Sequence, residues 1–264
     1  MLSRPQSKGA LLRIPSLPLV PLLFSLLLSP ALPADPLPTT DKLLTQMAAA
    51  LTQMTSFQGA MRSVTTGPYA QTGTVDFAIE KSANSGKTIM RASMVANIFK
   101  KAPDVKAESL TQMKWICDGS IAWNEMRDAD GKIIVTKMNA PAPDTTQPNV
   151  MVRDYLADAK TYNFKLVGED SIDGRKMYVL DGAFDADTCA KRGIKQFKVR
   201  FWIAQDNLML CRQVTTSMGI IDDQPSVETC DLLNVTLNEK IDPALFLYTP
   251  PPGVKIIDTT KPKP

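Results

Sequence analysis

The 264-residue chain contains no histidine. The Ser-His and Cys-His pairs that activate most side-chain nucleophiles therefore cannot be assembled, and the commonest transition-metal ligand is missing. Cysteine is sparse, and its four residues include no Cys-x-x-Cys pair on which redox chemistry could rest. Phosphate and calcium loops are lacking as well. Gly86-Lys87-Thr88 ends like a phosphate-binding loop, but Lys81 stands where that motif needs its first glycine. Asp128, Asp130 and Gly131 imitate part of a calcium loop whose first and twelfth positions, Met126 and Lys137, offer no carboxylate. No catalytic residue, metal site or cofactor is expected, and the chain reads as a non-enzyme.

Acidic residues are missing from the first 34 positions, which carry Arg4, Lys8 and Arg13 and then an apolar run densest from Leu22 to Leu28. Small residues at Ser29 and Ala31, or at Ala34, suit signal peptidase, so residues 1–34 are expected to be a secretory signal cleaved near Ala31 or Ala34. Pro15, Pro18 and Pro21 cut the apolar core below the roughly 20 residues that a spanning helix requires. The reading is a soluble exported protein, with residues 35–264 as a single domain. Without the leader, 27 basic residues face 27 acidic ones, so no net positive field is left to attract nucleic acid. The basic run Lys191, Arg192, Lys195, Lys198 and Arg200 is best explained as a solvated edge, with contact to phosphate or an acidic partner as the alternative.

What the sequence does contain is a helix pattern followed by a long strand pattern. From Asp41 to Phe57, residues Leu43, Leu44, Met47, Leu51 and Met54 recur at offsets of three and four, with Asp41 as the expected N-cap. Burying five such side chains is worth roughly 1.5–3 kcal/mol each, so another element must cover them. Beyond this helix the alternation has period two. Tyr162, Phe164 and Leu166 share one face of an expected strand; Phe197, Val199, Phe201 and Ile203 share another, with Lys198 and Arg200 opposite; and Leu233, Val235 and Leu237 repeat the pattern. Asp130-Gly131 and Asp173-Gly174 lie between such runs, where a tight hairpin turn takes glycine. The expected class is mainly β, an antiparallel sheet with one apolar face under the helix. Twelve of the 13 methionines follow the leader, which suits a wall that accepts varied apolar ligands as well as ordinary core filling. The expected wall comprises Leu43, Met47, Leu51, Phe57, Phe77, Trp115, Trp123, Phe164, Phe197, Val199 and Phe201.

Four cysteines in an exported chain allow three pairings. Cys211 and Cys230 flank residues 219–225 as if across a hairpin and off the apolar face. Cys117 and Cys189 are the second candidate pair, and free thiols remain open.

Several segments carry a family resemblance. The amphipathic helix, Ser56-Phe57-Gln58-Gly59-Ala60, Cys117-Asp118-Gly119-Ser120-Ile121-Ala122-Trp123, Lys195-Gln196-Phe197, and Ile241-Asp242-Pro243-Ala244-Leu245-Phe246 running to Pro251-Pro252-Gly253-Val254 follow one another in the order found in LolA-type outer-membrane lipoprotein carriers. The chain resembles that family from about Asp41 to Asp258. The resemblance implies an unclosed antiparallel β-barrel of about eleven strands with helices covering its concave apolar face. It implies a periplasmic carrier that shields the acyl chains of lipoproteins or lipids on the way to the outer membrane. An inner-membrane releasing transporter and an outer-membrane acceptor would be its partners, and a monomer is expected. Where family members carry a lid-latching arginine, this chain has Glu80-Lys81-Ser82-Ala83, so no latch arginine is assigned. An envelope-stress sensor, a structural periplasmic protein and a histidine-free enzyme are the alternatives on the same scaffold.

Overall fold

A computed structural model describes residues 36–68, 70–84, 87–100, 109–127, 130–140 and 155–260. The leader, Gly86, Asp128 and the prolines at 141, 143 and 148 lie outside them. Helix α1 (Thr40–Gln53) is followed by β1 (Ser56–Thr66), β2 (Gln71–Asn84), β3 (Lys87–Lys100), β4 (Ser109–Cys117), β5 (Ile121–Arg127) and β6 (Ile133–Asn139). After these come β7 (Lys165–Ile172), β8 (Arg175–Ala183), the short α2 (Ala186–Lys191), β9 (Ile194–Ala204), β10 (Leu210–Gly219) and β11 (Ser226–Leu237). A 3-10 turn (Pro243–Phe246) and β12 (Ile256–Asp258) end the chain.

All twelve strands form one sheet in the order β12-β6-β5-β4-β3-β2-β1-β11-β10-β9-β8-β7, which does not close on itself. Eleven strands pair antiparallel, and β12 adds to β6 in parallel. The expected mainly-β, unclosed sheet under a helix is therefore present. Its hairpins form where the turn residues stand: Gly131 (φ 78°) follows β5, and Asp173 and Gly174 (φ 51° and 79°) join β7 to β8. In the turn from β4 to β5, the Asp118 carboxylate accepts hydrogen bonds from the backbone N–H groups of Ser120 (2.7 Å) and Ile121 (2.9 Å), which is the physical content of the Cys117–Trp123 segment.

Several local expectations need correction. Thr39, not Asp41, caps α1, its hydroxyl accepting from the Lys42 N–H at 3.3 Å, while Asp41 sits in the first turn where a carboxylate meets the positive end of the helix dipole. The helix stops at Gln53 rather than reaching Phe57, because the next residues are taken by the sheet: Asn238 accepts from the Thr55 N–H at 2.8 Å, and the Ser56 hydroxyl donates to the Glu239 carbonyl at 2.6 Å. Tyr162 and Phe164 precede β7 in a turn in which Asn163 has φ 48°, although both still pack with Leu166 on the same core. The run Leu233, Val235, Leu237 does not share one face. Asn234 (φ 51°) lies at a bulge against Gln58–Ala60, so Leu232 points inward with Val235 and Leu237 while Leu233 is exposed. Gly59 sits in that bulge, where a Cβ would come within 3.0 Å of the Leu233 carbonyl oxygen and 3.2 Å of the Phe77 ring.

The outer face is held by polar groups and by the end of the chain. Asp231 on β11 is 9% exposed and is flanked by Arg62 of β1 (3.1 Å) and Arg212 of β10 (2.6 Å), one cation from each neighbouring strand. The segment after β11 crosses the outer face, burying Ile241 and Phe246 against Ala78. Tyr248 donates to the buried Glu125 at 2.7 Å before β12 reaches β6.

Burial alone would raise the Asp231 carboxyl, but hydrogen bonds from Arg212 and Arg62 outweigh it and hold the group below the usual carboxylate range. A depressed folded pKa contributes stability that is complete above the unfolded value of about 3.9 and is lost as pH falls through the folded value. Asp231→Asn is expected to cost about 2 kcal/mol at neutral pH. Denaturant titrations should show this deficit shrinking below about pH 4.

Candidate functional site

The inner face, under α1, divides into two apolar regions. In the first, Leu43 and Met47 of α1 pack against Leu180, Val199, Phe201, Ile203 and Leu210, with Phe164 closing the edge. Leu43 and Met47 are 0% and 1% exposed, so this region is a closed core. In the second, Met54, Phe57, Phe77 and Met209 are joined by Met61, Met94 and Leu232. Here the packing leaves a cavity of about 290 Å³. Its wall runs from Met113 on β4 through Met94, Phe77 and Met61 to Leu210 and Gln213 on β10. Those strands are five positions apart in the sheet. At about 4.8 Å per strand a flat sheet could not bring them around one small space, so the sheet curls here.

Of the expected wall residues, Phe57 and Phe77 line the cavity and stack on each other with ring centroids 4.6 Å apart. Leu51 packs on both regions, and Trp115 packs against Ile79 of the cavity wall. Leu43, Met47, Phe164, Phe197, Val199 and Phe201 belong to the closed region. Trp123 is a correction. Its neighbour Asn124 pairs with the inward Trp115, so Trp123 faces outward, where its ring lies 5.4 Å from Tyr248. Strand parity, which a run of seven residues leaves ambiguous, decides this. Met61, Met94, Met113 and Leu232 were not singled out by sequence reasoning, although three of them are methionines and the methionine content pointed in that direction.

Helix α1 is tethered at both ends. The Thr40 hydroxyl accepts from the Leu166 N–H of β7 at 2.9 Å, and the Lys81 ammonium of β2 donates to the Thr52 carbonyl at 3.0 Å. A cation there also meets the negative end of the helix dipole. Lys81 lies within the segment to which no latch arginine was assigned, and only the folded register brings it to the helix end.

Neither candidate cysteine pair is joined by a disulfide in the structure. Gln213, not Cys211, stands opposite Cys230. Cys211 sits at a bulge between Leu210 and Arg212, with its Sγ 3.5 Å from the Arg175 guanidinium. Cys230 faces inward and lines the cavity, contrary to the expected parity. Cys117 ends β4 and Cys189 lies in α2, on elements that do not pair. Burial, followed by the adjacent Glu228 carboxylate, pushes the Cys230 thiol up to about 12, and burial also raises Cys117 and Cys211. Protonated, buried thiols are poor nucleophiles at neutral pH. Among the described residues no three Cys, Asp or Glu side chains gather as metal ligands. The basic run is largely occupied: Arg200 makes two hydrogen bonds to Asp181 (2.6 and 2.7 Å), Arg192 meets Asp158 at 3.3 Å, and Lys195 donates to the Asp222 carbonyl at 2.6 Å.

No model of a known protein family matches the chain, and no curated protein matches it in sequence. Solved structures of similar arrangement include LprF from Mycobacterium bovis, 15% identical with a TM-score of 0.43 over 76% of this chain and 93% of that one. Lipoprotein LppX from Mycobacterium tuberculosis is 16% identical, with a TM-score of 0.39 over 77% and 98%. An outer membrane lipoprotein-sorting protein domain from Vibrio parahaemolyticus is 7% identical, with a TM-score of 0.26 over 78% and 94%. The likeness is one of fold.

The two apolar regions should respond differently to a buried charge. Met47→Glu places an unpaired carboxylate in a closed core and should lower the melting temperature by about 10 °C or more. Met61→Glu, on a cavity wall that can take up water, should cost only a few degrees, and thermal denaturation of the two variants side by side checks this.

Proposed function

We propose that this protein is an exported carrier that binds the acyl chains of lipids or lipoproteins in the inner cavity and moves them through the periplasm toward the outer membrane. The observation that carries the reading is the cavity of about 290 Å³, walled by Phe57, Met61, Phe77, Met94, Met113 and Leu232. An acyl chain gains about 0.8 kcal/mol for each CH₂ it buries and needs no catalytic group to do so. Methionine side chains adapt to chains of different length and branching. Helix α1 is held by more than its hydrogen bonds to β7 and β2, because Leu43 and Met47 are buried at roughly 1.5–3 kcal/mol each, so on this reading the helix stays seated and a chain enters the cavity beyond its C-terminal end. On this reading residues 1–34 are the export signal, residues 35–264 the carrier domain, and the protein acts as a monomer without chemistry of its own. An inner-membrane transporter would load it and an outer-membrane acceptor would receive the cargo.

Two measurements test the proposal. Protein recovered from the periplasm should begin near residue 32 or 35 on N-terminal sequencing, whereas a membrane-bound form retaining Met1 to Leu28 would contradict a shuttle. Organic extraction followed by mass spectrometry should release bound lipid, and the stripped protein should bind a fluorescent acyl probe that Met61→Glu no longer retains. A folded, stripped wild type that binds no acyl chain would overturn the carrier reading.

A further inference from the structure

The inner face changes character along its strands. The register sets Val75, Met61 and Leu232 side by side as an apolar row. Two residues further along, the row reads Gly73, Ser63, Cys230 and Gln213, and two further again it reads Gln71, Thr65, Glu228 and Thr215. Rows on one face are about 7 Å apart, so the inner face passes from the hydrocarbon wall of the cavity, through Gln213 and Cys230 at its border, to hydroxyl and carboxylate groups within the length of a lipid head.

This polar end has unused hydrogen-bonding capacity. Among the described residues, two buried side-chain polar atoms of these rows find no partner, Thr65 Oγ1 and Gln213 Oε1, and by register both residues face inward. Gln213 is only 5% exposed and lines the cavity. Its Nε2 is held by the Tyr155 hydroxyl at 3.2 Å and the Thr215 hydroxyl at 2.9 Å, which fixes the amide and leaves its oxygen unspent. Buried polar groups are rarely left without partners, because each costs its full desolvation. The charge at this end is negative. Glu228 lies beside the Cys230 thiol; Arg212 also borders the cavity, but its guanidinium and that of Arg62 are engaged by Asp231.

Resting on the carrier reading, we infer that Gln213, Thr65, Thr215 and Glu228 receive the uncharged, hydroxyl-bearing head of a single-chain amphiphile whose tail lies along Met61, Phe57 and Phe77. One hydroxyl can donate to the free Gln213 oxygen, and a second on the same head can exchange a hydrogen bond with the Thr65 hydroxyl. A carboxylate or phosphate in the same place would offer no donor and would meet the Glu228 carboxylate.

The test uses the full, delipidated protein and displacement of a bound fluorescent acyl probe by monolaurin, laurate or lauryl phosphate at neutral pH. Monolaurin should compete at about a tenfold lower concentration than either anion. Gln213→Met and Thr65→Val should each weaken monolaurin about fivefold to tenfold and leave laurate within about twofold. If melting shows that Gln213→Met is unfolded, Thr65→Val and the wild-type comparison decide the matter. Equal competition by all three lipids would overturn the inference and leave the carrier reading intact, with water satisfying the polar end. A protein that binds neither the probe nor any of the three would remove both.

Discussion

One constraint governs this structure: a long sheet that does not close must cover its apolar face by other means. Helix α1, 14 residues long, covers part of the trough, and Tyr155, Leu156, Ala159 and Tyr162 pack beside it on the same region. Over β8, β9 and β10 the helix packs fully, and Leu43 and Met47 disappear from solvent. Toward β2, β3 and β4 it has ended, and flexible methionine and phenylalanine side chains line the space that remains. The cavity is thus a consequence of the mismatch between the lengths of cover and sheet.

Openness also leaves two sheet edges, which risk pairing with other chains. At β7 the edge carries Glu169 and Asp170, and one of its N–H groups is occupied by the Thr40 hydroxyl. At the other end the last strand is a three-residue parallel addition, with Thr259 donating to the Lys137 carbonyl at 2.9 Å. The segment leading there packs on the outer face, so the same stretch of chain shields Ala78 and Glu125 and terminates the sheet. The outer face is further stitched by Arg62, Asp231 and Arg212, whose paired charges span three adjacent strands.

The two faces therefore do different work. On the outer face, carboxylates such as Asp231 and Asp181 meet arginines. On the inner face, Thr65 and Gln213 carry buried polar atoms without a partner among the described residues, in the rows just beyond Met61 and Leu232.

Composition and periodicity alone determined the absence of histidine chemistry, the amphipathic helix ahead of a β domain, the hairpins at Asp130-Gly131 and Asp173-Gly174, and the apolar character of Phe57 and Phe77. These follow from local rules: a stripe at helical spacing must be buried, and an Asp-Gly pair turns whatever it joins. Tertiary structure decided the rest. A bulge at Asn234 reversed the facing of Leu233, strand parity sent Trp123 outward, and register placed Gln213 rather than Cys211 opposite Cys230. Whether an apolar residue closes a core, as Met47 does, or walls a cavity, as Met61 does, depends on where α1 stops over a curled sheet. That is a property of long-range packing, which no window of sequence contains.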